Sequence, residues 1–149
     1  MENRFQDQNH RLTFFQTRVQ VECPACAKEA TATVDYEEKK ARLFCAHCGY
    51  SRIVSTEMTV FGISGHYNAP AHAYFDAKLW YEAPFRNETF QAYNTEHLLY
   101  LEAYISAKLR EHKDRTHFTL LEKLPRFYHD AKNRDALLKL IAKMKNKKQ

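Results

Sequence analysis

Glycine is scarce in this chain of 149 residues: Gly49, Gly62 and Gly65 are the three it has. A glycine-rich phosphate loop or a dinucleotide fingerprint cannot be written from them. Long apolar runs are missing as well. The longest, Leu98-Leu99-Tyr100-Leu101, falls far short of the ~20 residues that cross a bilayer, so no membrane partner is expected. Met1-Glu2-Asn3-Arg4 leads into polar sequence, which predicts no secretory leader. The length excludes a barrel of eight β/α units. With 44% hydrophobic and 28% charged residues, the chain has the material for one compact domain or two very small ones.

What is present is concentrated. All four cysteines fall in two pairs, Cys23-Pro24-Ala25-Cys26 and Cys45-Ala46-His47-Cys48. This is C-x2-C-x18-C-x2-C, a spacing that reads as a zinc site. Four thiolates at ~2.3 Å complete a tetrahedral ion, and two intervening residues let a tight knuckle aim both sulfurs at one point. One structural Zn2+ held by Cys23, Cys26, Cys45 and Cys48 is the expected cofactor. Disulfides fit poorly without a secretion signal. Iron uses the same ligands and stays open as an alternative. A redox pair fits poorly too, since the motif occurs twice and has no strand–helix context. Gly49 suits the turn after the second knuckle; Ala27 and Lys28 follow the first.

The flanks have period two. Val19 and Val21 alternate with Arg18, Gln20 and Glu22; Ala30, Ala32, Val34 and Tyr36 alternate with Thr31, Thr33 and Asp35. Half-buried strands carry that pattern, so residues 17–55 read as an antiparallel ribbon of three or four strands. Such a layer is too small to fold unaided, and metal binding should supply much of its stability. Residues 56–77 read as an irregular loop whose aromatics cover the ribbon. Lys78–Glu82 and Glu88–Tyr93 read as a second hairpin joined through Pro84 and Asn87. Asn94 or Thr95 then caps a helix striped by Leu98, Leu101, Ile105 and Leu109, ending near Lys113. Phe118–Leu124 reads as a short helix stopped by Pro125. Asn133 starts a last helix with Leu137, Leu140, Ile141 and Met144 inward.

The expected class is therefore α+β: an N-terminal zinc ribbon, a short second hairpin and C-terminal helices packed on the sheet. The segments are 1–57 (tail and ribbon), 58–94 (loop and hairpin) and 95–149 (basic helical part), forming one composite domain. Charge divides along the same line. Residues 108–149 hold 13 Lys/Arg and 5 Asp/Glu, whereas residues 1–107 hold 10 and 13. A basic end on a slightly acidic body attracts nucleic acid, an acidic protein or an anionic surface.

The chain resembles small bacterial zinc-ribbon proteins of the transcription factor IIB type. Beside the knuckles, the resemblance rests on Leu79-Trp80 with Ala92-Tyr93-Asn94, Glu96-His97-Leu98, Leu101-Glu102 and Ala107-Lys108-Leu109-Arg110-Glu111. It rests also on Leu124-Pro125-Arg126, Ala131-Lys132-Asn133-Arg134-Asp135, Leu138 and Ile141. Members often carry a further Cys-Cys near the second hairpin, where this chain reads Pro84-Phe85-Arg86-Asn87, so a second metal is not expected. The resemblance implies a fold and not an activity.

Two functions follow, both non-enzymatic. In one, the protein associates with nucleic acid or a nucleic-acid-processing complex. Arg110, Lys113, Arg115, Lys132, Arg134, Lys139 and Lys143 would meet phosphates, and Tyr50, Phe127 and Tyr128 would stack on bases. In the other, it is a protein–protein module: an adaptor, a complex subunit, or an immunity or antitoxin partner. An enzyme would draw on His66, His72 and Asp76, or on His97 and His112. No H-E-x-x-H, nucleophile elbow or phosphate loop frames them, so no catalytic residue and no small-molecule substrate are expected. A cytoplasmic location would keep the thiols reduced.

Overall fold

A computed structural model describes residues 4–7, 13–107, 109–112 and 125–147. Its centre is the expected antiparallel ribbon. Strands β2 (Arg18–Glu22), β3 (Glu29–Asp35), β4 (Lys40–Phe44) and β5 (Ser51–Ser55) lie in chain order. Alternation decides the faces: Val19, Val21, Ala30, Ala32, Ala41 and Leu43 are buried, while Thr33, Asp35, Arg42 and Phe44 face out. Each turn has its local cause. The Asp35 Oδ1 accepts from the amides of Glu37 and Glu38, an Asx-type turn that aims β4 back along β3.

Residues 57–66 are not a loop. Strands β6 (Glu57–Val60) and β7 (Ile63–His66) form a hairpin closed by Val60 opposite Ile63. Phe61 (φ 51°) and Gly62 (φ 80°) supply the two left-handed residues that a type I′ turn requires. Phe-Gly is a rare way to write such a turn, which is why the sequence hid it. A 3-10 segment, Ala71–Phe75, follows, and Tyr74 and Phe75 pack on the ribbon core as expected of the aromatics there.

The second hairpin exists in a shifted frame: β8 (Tyr81–Phe85) pairs with β9 (Glu88–Ala92). Pro84 lies within β8 and the turn is Arg86-Asn87. The strand sits at an edge, where proline's missing N–H is tolerated. Helix α2 (Thr95–Ser106) begins as expected, with Asn94 Oδ1 accepting from the His97 amide at 2.8 Å. It does not run to Lys113. Ala107 is extended, and β10 (Leu109–His112) pairs in parallel with β1 (Arg4–Asp7); the apolar period of Leu109 lost to strand pairing. A four-residue helix, α1 (Thr13–Gln16), precedes β2. Helix α3 (Arg134–Lys145) buries Leu137, Ile141 and Met144, with Leu140 partly covered. Asn133 precedes it without capping it. Its Oδ1 accepts from Arg86 at 2.6 Å and its Nδ2 donates to the Phe127 carbonyl. The expected helix at 118–124 lies outside the described residues.

There are two apolar cores. Ribbon residues, Ala71 and Leu79 form one; Trp80, Tyr81, Phe85, Phe90 and the buried faces of α2 and α3 form the other. The helices thus cover the β8–β9 hairpin, and the 3-10 segment covers the ribbon. A polar seam on β2 joins the halves. Along its outer edge Glu22 N donates to Lys78 O, Gln20 N to Tyr93 O, and Trp80 N to Gln20 O. The Gln20 Oε1 accepts from both the amide and the hydroxyl of Thr95, at 2.6 and 2.8 Å, at the start of α2. Asn94 Nδ2 donates to the carbonyls of Phe15 and Arg18.

Candidate metal centre

Each knuckle is built by the same backbone device. Cys23 N donates to Lys28 O, and Ala27 N donates back to Cys23 O. In the second knuckle Cys45 N donates to Tyr50 O, and Gly49 N donates to Cys45 O. The fourth residue after each leading cysteine must turn left-handed: Ala27 at φ 65° and Gly49 at φ 83°. Gly49 pays no steric penalty for this, and Ala27 does.

Antiparallel pairing of β3 with β2 and β4 brings the knuckles together. The four Sγ atoms lie within 4.8 Å of one another, with Cys23–Cys48 at 3.7 Å and Cys26–Cys45 at 3.6 Å. None is disulfide-bonded. Sulfurs around a tetrahedral ion at ~2.3 Å sit roughly 3.8 Å apart, so the cluster can hold a metal ion with little movement. Cys23 and Cys45 are buried and Cys48 is exposed. The Ala25 amide donates to Cys23 Sγ at 3.3 Å.

Cys45 and Cys26 are pushed in opposite directions. Burial pushes Cys45 up, but the amides of Cys48 and His47 and the neighbouring sulfurs outweigh it, and its pKa falls to about 6. At Cys26 the Lys28 amide favours the thiolate, yet burial and the other three sulfurs carry the group up to about 12. Thiolates packed this closely repel one another until a cation joins them, so metal uptake releases protons. His47 is exposed and stands outside the sulfur group.

The enzyme candidates form, among the described residues, no group able to share an ion. Among the described residues the cysteines are the one group of histidine, cysteine or carboxylate side chains close enough to share an ion. His66 Nδ1 is bonded to Thr56 Oγ1. His72 lies against Tyr93, and burial holds its pKa below the usual value. Asp76 is an exposed residue of left-handed backbone. His97 is buried between the rings of Phe15 and Tyr93, and its Nδ1 accepts from the Tyr93 amide. Burial lowers its pKa to about 4.

Four of the basic candidates, Lys132, Arg134, Lys139 and Lys143, have described side chains. Lys139 and Lys143 are exposed one turn apart on α3, and neither is in an ion pair among the described residues. Lys132 is exposed beside Asp130 at 3.7 Å. Arg134 is half-buried. The side chain of Arg110, like that of His112, and all of Lys113 and Arg115 lie outside the described residues. Phe127 and Tyr128 are not available for stacking on bases. Both are buried in the helical core, and Tyr128 Oη accepts from the Gln91 amide. Tyr50 is half-buried against the ribbon core. Sequence reasoning missed the exposed apolar residues instead: Phe61 is 100% exposed at the hairpin tip, Ile63 beside it 66%, and Ile53 on β5 64%. No family model, curated protein or solved structure matches this chain.

Proposed function

We propose that the protein is a non-enzymatic zinc-ribbon binding protein of the transcription factor IIB type, working in a reducing, cytoplasmic setting in association with nucleic acid or a nucleic-acid-processing complex. The observation that carries this reading is the closed set of four sulfurs. A four-sulfur ion has no vacant position for a water or a substrate, so its task is structural. Zinc suits the site because it has no redox chemistry and accepts the tetrahedral spacing as it stands. The exposed lysines of α3 and the positive charge of residues 108–149 favour the polyanion. The test joins elemental analysis with oligonucleotide binding at several salt concentrations. One equivalent of zinc is expected, with affinity falling steeply as salt rises. Replacing Lys139 and Lys143 with glutamine should lower the logarithmic salt slope by roughly 2. Folded protein without metal overturns the first part, and salt-independent binding the second.

A second reading, a protein–protein module, is favoured by one observation. Phe61 is displayed at the tip of a stiff two-residue turn, flanked by exposed Val60 and Ile63. A fully exposed aromatic on a rigid hairpin suits an anchor that enters a partner's pocket. A stable stoichiometric partner that survives nuclease treatment, and is lost with Phe61→Ser, would favour this reading over the first.

A further inference from the structure

The two edges of the ribbon are treated differently. The β2 edge is closed by residues 78–80 and by Tyr93. The β5 edge is open: among the described residues β4 is the one strand paired with it. Open edges in native proteins are usually blunted by lysine, proline or a bulge. Here β5 reads Ser51-Arg52-Ile53-Val54-Ser55, regularly paired with β4 throughout, with Ile53 exposed at its centre.

The hydrogen-bond phase says which groups are offered. Cys45 N donates to Tyr50 O at one end of the β4–β5 ladder, and Thr56 N donates to Lys39 O at the other. Antiparallel ladders alternate, so residues 50, 52, 54 and 56 point their backbone at β4. Ser51, Ile53 and Ser55 point theirs away, and no described residue bonds to those groups.

We propose that β5 docks against β5 of a second copy of this chain, antiparallel and centred on Ile53. The occupant is argued from the strand's symmetry. A two-fold axis through Ile53 sets Ser51 opposite Ser55, Ile53 opposite Ile53, and Arg52 opposite Val54. All three outward-pointing residues then fall in the narrow, doubly bonded class of pairs, so the free N–H and C=O groups are satisfied at once. No like charges stand opposite each other, and the two arginines sit beside valines that their stems can cover. On the outer face the exposed Ile53 side chains of the two copies meet, each with Arg42 directly beside it on β4 and Phe44 on the diagonal. The product is a continuous eight-stranded sheet with a metal centre toward each end. The inference rests on the fold and does not need the nucleic-acid reading.

The experiment is sedimentation equilibrium of the full chain from 5 to 500 μM, with hydrogen exchange read at the same concentrations. A reversible dimer is expected, and the amides of Ser51, Ile53 and Ser55 should gain protection as it forms. Ile53→Lys sets like charges opposite each other and should weaken association about tenfold or more. Ile53→Pro removes an outward donor that β4 does not use and should act likewise. Metal content and circular dichroism confirm that both variants are folded; if Ile53→Pro is not, Ile53→Lys decides. A monomer at 500 μM overturns the proposal. So does a dimer indifferent to both changes, or protection of these amides that appears only when a different protein is added.

Discussion

The two cores of this molecule are made of different stuff. The ribbon buries valines, alanines and one leucine between its strands, and its largest investment is four sulfurs at one end. The C-terminal half buries Trp80, Phe85, Phe90, Tyr104, Leu137 and Ile141, with no cysteine among its core residues. A buried valine or leucine contributes ~1.5–3 kcal/mol and an alanine much less, so a four-stranded layer of small residues cannot offset its own ordering entropy. One half carries sulfurs that can staple it, and the other is packed.

The contrast makes predictions that can break it. The largest effect belongs to the metal. Cys45→Ser, or chelation, should remove most of the ~10–16 kcal/mol that such sites supply to small zinc domains. The amides of Val19, Val21 and Leu43 should then exchange freely while those of Leu101 and Ile141 stay protected. If both sets are released together, the halves are not separately stabilised and the comparison fails.

Next comes Phe90→Ala, in the packed half. Phe90 is wholly buried and stacked on Tyr128 at 5.2 Å. A loss of ~3–5 kcal/mol is expected from chemical denaturation, with metal content unchanged.

His97 sharpens the contrast through pH. Its folded pKa is depressed by burial to about 4, against ~6.5 for a free imidazole. The unfolded chain therefore binds the extra proton first. The contribution is fully present above pH 6.5 and lost as pH falls toward 4, amounting to about 3 kcal/mol. Subtracting the stability curve of His97→Gln from that of the parent between pH 7 and 5 isolates this term from proton competition at the sulfurs. A flat difference would sink it.

The smallest effect compares the knuckles. Ala27→Gly should stabilise by ~0.5–1 kcal/mol, because it relieves a left-handed alanine. Gly49→Ala should cost a similar amount through backbone strain alone, since a Cβ there meets nothing within 4 Å. Midpoints of thermal unfolding with metal in excess would check both.

How much of this was legible beforehand followed the strength of the local signal. Cysteine spacing and period two gave β2 to β5 and the sulfur cluster almost to the residue. Asn94 announced α2. The end of α2 was hidden because Leu109 continues a helical period, while the competing strand partner lies a hundred residues upstream at Arg4–Asp7. The β6–β7 hairpin was hidden because Phe61 occupies a position where asparagine is the usual signal. Phe127 and Tyr128 looked like surface aromatics because single residues in a short 3-10 turn carry no period to reveal which way they face.

Gln20 has a consequence of its own. A single strand serves as the outer rail of the ribbon and as the anchor for the first turn of α2, through the paired bonds to Thr95. Thermodynamic linkage then runs both ways with equal magnitude: whatever clamps the helical half would raise the affinity of the sulfurs for an ion, and a bound ion would raise by the same factor the affinity of the helical half for whatever it grips.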